Sequence, residues 1–166
     1  MDQTKKAQLY AIQKRAEIMI HLGARTPTIA AALRLTGPEA RRIVQHVAKS
    51  ARTSGMSPHD PNFFLGQQTM HSSFLANLLS QAAEDKNATE ADILLSAYGS
   101  YIMFSNGNAT INIDRAWNLM IQLRTGQLKM ATCRVCNGRV VVRGMRPDVT
   151  TCPVCKAHKR VGLKGA

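Results

Sequence analysis

Acidic residues are scarce in this sequence. Only ten of its 166 residues are Asp or Glu, against 22 Lys or Arg, which leaves a formal net charge of +12. The imbalance lies at the two ends: residues 1–60 hold ten basic and four acidic side chains, residues 61–126 three and five, and residues 127–166 nine and one. Basic ends around a mildly acidic middle are typical of a protein that binds a polyphosphate such as DNA or RNA. The alternatives are solubility alone, or contact with an acidic protein or lipid surface.

A long apolar run is also missing. The apolar stretches are far too short to cross a bilayer, and the first ten residues, MDQTKKAQLY, lack the apolar segment of a secretory signal peptide. Because 45% of the residues are hydrophobic, the chain still has enough apolar material for a core. We therefore expect a cytoplasmic globular protein without membrane contact, in a reducing compartment that disfavours structural disulfides.

Recognisable catalytic patterns are absent from the sequence as well. There is no Gly-rich phosphate-binding loop, no pair of carboxylates arranged for acid–base chemistry and no His-x-x-x-His metal pair. The five histidines are scattered, and none lies in a recognisable nucleophile or base context. We predict that the protein is not an enzyme.

The four cysteines are the most specific feature that is present. They form two Cys-x-x-Cys pairs, Cys133 with Cys136 and Cys152 with Cys155, separated by fifteen residues. Each pair supplies two soft ligands from one tight turn, and two pairs complete a tetrahedral zinc site. Four cysteine ligands leave no position for water, so we predict one structural Zn²⁺ per chain. Disulfides and catalytic or regulatory thiols are the alternatives, and a zinc-releasing redox switch would use the same four residues.

The residues around the cysteines predict a zinc-ribbon-like module over 131–166. We expect Gly138, just after the first pair, to take a positive φ where the chain turns over the metal. Val140–Val142 predicts a strand and Arg146-Pro147-Asp148 a turn, so both pairs are expected on a hairpin. The module is rich in cations, and six of them are predicted to contact DNA: Arg134, Arg139, Arg143, Arg146, Lys159 and Arg160.

Residues 1–49 predict an N-terminal helical, helix-turn-helix-like region. An amphipathic helix over 4–22 precedes a short helix that ends before the turn Leu35-Thr36-Gly37. Thr36 and Glu39 then form the capping box of a second short helix. In a helix-turn-helix the second helix enters the major groove. The predicted DNA contacts on that helix are Arg41, Arg42 and Gln45; a solvated face of an ordinary helical hairpin is the alternative.

Residues 50–62 are rich in Ser, Pro and Gly and predict a linker, and residues 63–130 predict a helical core that also binds a partner. Helices are expected over Phe63–Ala83, from a Thr89 cap with Tyr101 and Phe104 on one apolar face, and over Ile111–Arg124. Trp117, the single tryptophan, is expected to anchor this core. The predicted fold is therefore mainly α, with a helix-turn-helix-like N-terminal part and a small C-terminal four-cysteine zinc-ribbon-like module.

Three stretches of the sequence resemble the FlhC family of bacterial flagellar transcriptional activators. They are HLGARTPTIAAALRLTG, NFFLGQQTMHSSFLANL and DRAWNLMIQLRTGQLKMATCRVC. The most specific part is the Arg-Ala-Trp-x-Leu helix followed by Gly-x-Leu-x-x-x-x-Cys-x-x-Cys, and the likeness extends in order over nearly the whole chain. The resemblance implies a mostly helical fold with a four-cysteine zinc site. It carries the ligand role over to Cys133, Cys136, Cys152 and Cys155.

The resemblance also implies partners. Members of the family act in a heterohexamer of four FlhD and two FlhC chains, which binds promoter DNA upstream of flagellar class II operons and helps to recruit RNA polymerase. The acidic, apolar-rich middle of the chain, and the helix over 89–104 in particular, is where we expect FlhD to bind. A zinc-ribbon protein-interaction module and a redox-sensing zinc protein, neither with specific DNA readout, remain the alternatives.

Overall fold

A computed structural model describes residues 3–47, 59–145 and 151–162 of the chain. Within these residues there are seven α-helices, one short 3₁₀ helix at Pro61–Phe64 and one two-stranded antiparallel sheet. None of the described helices has both the length and the hydropathy needed to cross a bilayer. The elements in chain order are α1 (Gln3–His21), α2 (Thr26–Leu33), α3 (Gly37–Val47), α4 (Thr69–Ala82), α5 (Glu90–Ser105), α6 (Ile113–Arg124), β1 (Leu128–Thr132), β2 (Arg139–Arg143) and α7 (Pro153–Gly162). The mainly α fold predicted from the sequence is confirmed.

The first three helices form the predicted helix-turn-helix-like unit. Helix α1 ends at His21, and the turn after it contains Gly23, whose φ of 84° is in the left-handed region that glycine adopts without steric cost. A three-residue turn joins α2 to α3, and Arg34 takes the left-handed conformation at its start. The carboxylate of Glu39 accepts hydrogen bonds from the backbone N–H of Thr36 at 2.8 Å and from its hydroxyl at 2.6 Å. These bonds fix the start of α3 relative to the turn.

The central helices differ from the prediction in one place. The apolar pattern over Phe63–Ala83 is divided between the 3₁₀ helix and α4, because Gly66 has a φ of 90° that a continuous helix does not allow. The cap of α5 is confirmed: Thr89 and Asp92 form a reciprocal capping box. Helix α6 begins after Asn112, whose side chain accepts a hydrogen bond from the N–H of residue 115.

One hydrophobic core extends from α1 to β2. Its fully buried members include Met19 of α1, Leu75 of α4 and Val141 of β2, and Trp117 is only 7% exposed, as predicted. Burying one side chain of this size stabilises the fold by about 1.5–3 kcal/mol. The helix-turn-helix-like unit and the sheet are therefore anchored to the same core. The division of the chain into four regions stays a prediction.

The sheet connects this core to the cysteines. In its register Met130 pairs with Val141 and Ala131 with Val140, so successive side chains point to opposite faces. Val141 belongs to the main core, and its N–H donates to the Ser73 hydroxyl of α4 at 3.0 Å. Val140 and Val142 instead pack with Ala131, Cys133 and Cys152 in a second, smaller cluster. The hairpin thus has the helices on one face and the cysteines on the other.

A glycine closes the open end of the hairpin. The N–H of Gly144 donates to the Gln127 carbonyl at 2.9 Å, and a Cβ at position 144 would lie 1.9 Å from the Gly126 carbonyl oxygen. That distance is far inside van der Waals contact, so a side chain at residue 144 would force the strands apart.

Ion pairs fix the N-terminal helices on the core. Arg15 of α1 binds Asp92 of α5 through two hydrogen bonds, of 2.6 and 2.9 Å. The buried carboxylate of Asp114 in α6 accepts from the N–H of Arg25 at 3.0 Å and from the hydroxyl of Thr28 at 2.5 Å. Arg25 is the N-cap residue of α2 and makes no cap bond with its own side chain. Asp114 therefore places a negative charge at the start of α2, where the helix dipole favours it.

Candidate metal centre and nucleic-acid interface

The four cysteine sulfurs converge on one point. All four Sγ atoms lie within 4.8 Å of one another. Those of Cys136 and Cys152 are 3.8 Å apart, and those of Cys133 and Cys155 are 4.0 Å apart. A tetrahedral ion with metal–sulfur bonds of about 2.3 Å requires sulfurs about 3.8 Å apart, whereas a disulfide requires about 2.05 Å. The spacing fits a tetrahedral metal ion, and the four thiols are unbridged.

The first pair sits on a tight turn between β1 and β2. The N–H of Cys133 donates to the Gly138 carbonyl, and the N–H of Asn137 donates to the Cys133 carbonyl, both at 2.9 Å. The positive φ lies at Asn137, at 57°, and not at Gly138 as expected. Asparagine tolerates this conformation better than most residues with a Cβ. Space at Gly138 is tight, since a Cβ there would lie 3.3 Å from the Cys136 sulfur.

The second pair lies at the start of α7, which differs from the expected hairpin. Cys152 comes just before the helix, and Pro153 is its first residue, a position where a missing N–H costs nothing. The free N–H groups of the first turn are available to sulfur as a result. The N–H of Cys152 donates to the Cys133 sulfur at 3.2 Å, and that of Cys155 to the Cys152 sulfur at 3.4 Å.

The surroundings give the four thiols unequal acidities. Backbone N–H donors lower the pKa of Cys133 to about 6, because they stabilise the thiolate. Hydrogen bonds with Cys152 and the other thiols raise the pKa of Cys155 to about 12, with burial acting in the same direction. Four thiolates this close repel one another without a cation, so a bound divalent ion would deprotonate and hold all four. Cys133 and Cys152 are buried, Cys155 is half-buried and Cys136 is exposed.

The predicted DNA-contacting side chains of α3 are accessible. Ala40 and Val44 face the core, while Arg41, Arg42 and Gln45 are exposed. His46 is exposed beside them. This is the arrangement that a recognition helix requires, with the apolar side anchored and polar side chains free to reach a groove.

The predicted DNA-contacting cations of the four-cysteine module (residues 131–166) differ in their contacts and in how far the structure describes them. Arg134, Arg139 and Arg143 are all exposed, and the guanidinium of Arg143 also donates a hydrogen bond to the side chain of Asn62 in the 3₁₀ helix. Arg146 lies outside the described residues. Lys159 and Arg160 belong to α7, of which the structure describes only the backbone at these positions. Helix α3 packs on α1 and α2, whereas the hairpin packs on α4, so the two basic groups are carried by separate parts of the fold.

One apolar group was misjudged from the sequence. Phe104, expected on the apolar face of α5 with Tyr101, is 66% exposed, while Tyr101 is fully buried. Met103 beside it is 69% exposed. The sequence signal that bears on this surface is the absence of charge, because residues 93–113 contain no Asp, Glu, Lys or Arg.

Comparison with known proteins identifies the family. A family model described as flagellar transcriptional activator (FlhC) matches residues 4–165. The chain belongs to the FlhC family. The resemblance seen in the sequence is thereby confirmed, and the FlhC match includes α3, the neutral central helices and all four cysteines.

Several FlhC proteins are similar over most of the chain. The flagellar transcriptional regulator FlhC of Gallionella capsiferriformans is 25% identical over 159 residues, covering 92% of this chain and 87% of that protein. The FlhC of Thauera aminoaromatica is 27% identical, covering 90% and 79%. That of Xenorhabdus nematophila is 26% identical, covering 88% and 79%. These relatives are transcriptional regulators by name, which agrees with the absence of a catalytic pattern in the sequence.

Proposed function

We propose that this chain is the DNA-binding subunit of a transcriptional activator that acts with FlhD at flagellar class II promoters and promotes the recruitment of RNA polymerase. The observation that carries the proposal is the family match over residues 4–165. The exposed cations of α3 support it, because phosphate contacts supply most of the affinity of such complexes.

The four cysteines are proposed to hold one structural Zn²⁺ through Cys133, Cys136, Cys152 and Cys155. Four thiolates and sulfur separations of 3.8–4.0 Å suit zinc. When bound, the ion would neutralise the thiolates and fix α7 against the hairpin, since the small cluster beneath the cysteines is too limited to do so alone. The ion's role is then to hold the basic module in shape for DNA.

FlhD is proposed as the obligatory partner, and both acidic side chains of α5 already have partners within the chain. Glu90 is paired with Arg124, and Asp92 is bound to Arg15 and to Thr89. Replacing either residue would disturb α5 itself, so that change does not test FlhD binding. Co-purification of the intact chain with FlhD is the direct test of the partnership.

The function is tested by DNA binding of the purified chain, alone and co-expressed with FlhD. A flagellar class II promoter duplex and a scrambled duplex of equal length are compared at several salt concentrations. We expect preference for the promoter only in the presence of FlhD, with affinity falling as salt rises, by a log–log slope of about −0.9 for each phosphate contact.

Three other results would point elsewhere. Equal and steeply salt-dependent binding to both duplexes would make the chain a non-specific nucleic-acid protein. Absence of DNA binding, with or without FlhD, would favour a zinc-dependent protein-interaction module. Release of the metal by low doses of peroxide, with recovery on reduction, would favour a redox sensor.

A further inference from the structure

The turn between α2 and α3 contains an unusual backbone conformation. Arg34, the first of its three residues, has a φ of 54° and a ψ of 41°, which is the left-handed helical region. Within residues 3–47, 59–145 and 151–162, the other positive-φ positions are four glycines and two asparagines, Asn106 and Asn137. Glycine and asparagine adopt this conformation more readily than other residues, because most side chains bring Cβ too close to a carbonyl oxygen. Arg34 is therefore a strained position.

The hydrogen bonds of the turn impose this conformation. The N–H of Arg34 donates to the Ala31 carbonyl at 3.3 Å, and the N–H of Leu35 donates to the Ala30 carbonyl at 2.8 Å. This pair of bonds is the Schellman motif, which ends a helix and requires a left-handed residue at the position that Arg34 occupies. Glycine is the usual residue there, followed by asparagine. The fold thus requires the backbone conformation, but it does not require an arginine to adopt it.

The side chain of Arg34 is exposed and unpaired within the part of the chain that the structure describes. Its guanidinium makes no hydrogen bond, ion pair or ring contact with any of these residues. Arg15 and Arg143, by contrast, bind the side chains of Asp92 and Asn62. The five N–H donors of the Arg34 guanidinium are therefore available to a group from outside the chain.

A second cation reaches the same turn. The guanidinium of Arg41 lies 3.8 Å from the position that a Cβ on Gly37 would occupy, and Gly37 is the first residue of α3. Glu39 is the only acidic residue in α2, α3 or the turn between them. Its carboxylate already accepts from the N–H and the hydroxyl of Thr36. The turn therefore combines two exposed cations with a carboxylate that is bound in the cap of α3.

We propose that Arg34 binds a phosphate of the DNA backbone and so anchors the start of α3 against the duplex. This assignment rests on the proposed function, because it requires DNA as the ligand. In a helix-turn-helix the first helix crosses the DNA backbone and the start of the second contacts base edges, so the turn between them lies next to a phosphate. The planar guanidinium suits a phosphate, because it can donate two parallel hydrogen bonds to its oxygens.

The strain at Arg34 gives this phosphate contact a distinctive signature. Strained backbone conformations cluster at binding sites, where the side chain serves the ligand and the rest of the fold bears the cost. Replacement of Arg34 by glycine should therefore stabilise the fold and weaken DNA binding at the same time. A residue that serves only the fold would not separate the two effects in this way.

The experiment compares three substitutions of one residue. Arg34→Gly removes both the strain and the charge, Arg34→Gln removes the charge alone, and Arg34→Lys keeps the charge. The matched control is Lys86→Gln, which removes one exposed cation from the turn between α4 and α5. Filter binding of each complex with FlhD to the promoter duplex and to the scrambled duplex, over a range of salt concentrations, gives the affinities and the salt slopes. Thermal unfolding of each full-length chain gives its stability.

We expect Arg34→Gly and Arg34→Gln to weaken binding to both duplexes at least about ten-fold at low salt. The magnitude of the log–log salt slope should fall by about 0.9 for each copy of the chain on the duplex. The ratio of the two affinities should stay unchanged, because a phosphate contact carries no sequence information. Arg34→Lys should keep the wild-type slope, as should Lys86→Gln. Only Arg34→Gly should raise the midpoint of thermal unfolding, by about 2–4 °C.

Wild-type affinity and salt slope in Arg34→Gly overturn the phosphate contact and leave the proposed function in place. A loss of affinity for the promoter duplex alone also overturns it, since Arg34 would then read a base. An Arg34→Gly chain that is less stable than the wild type would show that the arginine serves the fold, which again contradicts the proposal. The proposed function fails separately, if the wild-type complex with FlhD does not prefer promoter DNA.

Discussion

Cys136 is the most accessible of the four cysteines, and its substitution tests how far the C-terminal module depends on a bound metal. Cys136→Ser removes one ligand while leaving the buried Cys133 and Cys152 in place. We expect zinc content to fall from about one ion per chain to near zero, because structural sites of this type depend on all four ligands. The far-UV dichroism should decrease only partly, since the main core lies on the other face of the hairpin.

Val135→Ser is the control for this substitution, because Val135 is an exposed neighbour in the same turn. It should retain the metal and the thermal transition of the wild type. A Cys136→Ser protein with full zinc content and wild-type stability would show that Cys136 is not a ligand. Metal content by atomic absorption and thermal unfolding of the two variants decide the matter.

Asp114 of α6 stabilises the start of a different helix, α2. Asp114→Ala removes the acceptor of the Arg25 N–H and of the Thr28 hydroxyl, and both groups lose a charged partner in a buried setting. We expect the free energy of unfolding to fall by about 2–3 kcal/mol. Urea denaturation measures this, with Glu84→Ala in the exposed turn after α4 as the control, expected to stay within about 0.5 kcal/mol of wild type. An equally small effect at Asp114 would show that these two hydrogen bonds do not stabilise the start of α2.

Between elements, the bond from α1 to α5 is expected to depend on pH. The hydrogen bonds from Arg15 hold the pKa of Asp92 below its usual value; those from Thr89 add to the effect, and burial opposes it. A carboxyl group whose pKa is lower in the folded state stabilises the fold above its unfolded pKa of about 3.9. That contribution is lost as the pH falls through the folded pKa.

Asp92→Asn should therefore lower the free energy of unfolding by about 1 kcal/mol near neutral pH. The difference from wild type should shrink toward zero as the pH falls below about 4. Chemical denaturation of both proteins at neutral and acidic pH measures it. In a double-mutant cycle, Arg15→Gln should cost little more once Asp92 has been replaced; additive costs would show that the two side chains do not stabilise each other.

The helices and strands that were predicted correctly are those whose stabilising residues lie close together in the sequence. The Thr89 cap was predictable because the stabilising partner, Asp92, is only three residues away. Strand β1 was not, since LKMAT has few β-branched residues and is selected by pairing with Val140–Val142 and by burial of Leu128. The helical start of α7 was also missed, because Cys-Pro-Val-Cys fits both a zinc-binding turn and the first turn of a helix.

In the metal site, likewise, some features follow from the spacing of residues in the sequence and others depend on tertiary packing. The four cysteines and their convergence were predictable from spacing, because metal geometry restricts the pattern. Their N–H donors and the positive φ at Asn137 depend on how the hairpin meets α7. The exposure of Phe104 depends on which side of α5 the other helices cover, and the apolar pattern of one helix does not contain that information.

In the whole molecule, charge is segregated along the chain. Basic side chains are concentrated in residues 1–60 and 127–166, and the neutral α4–α5 pair lies between them in the chain. One core nonetheless joins α1 to β2, so α3 and the metal-site module are held on a common scaffold. If the proposed function holds, this arrangement would present two basic surfaces to a duplex and leave the uncharged surface for protein contacts.

The role of α3 in that arrangement is measurable through salt dependence. Arg42→Gln removes one exposed cation from α3, and Lys86→Gln removes one from the turn between α4 and α5. If α3 lies against DNA, Arg42→Gln should reduce the magnitude of the log–log salt slope by about 0.9 for each copy of the chain on the duplex, since each copy loses one phosphate contact. Lys86→Gln, which lowers the net charge equally, should leave the slope unchanged. Filter binding of the FlhD-containing complex to promoter DNA measures both salt slopes. Equal changes in the slopes of the two variants would mean that only net charge matters. An unchanged slope in both variants would show that α3 is a solvated face that does not contact DNA.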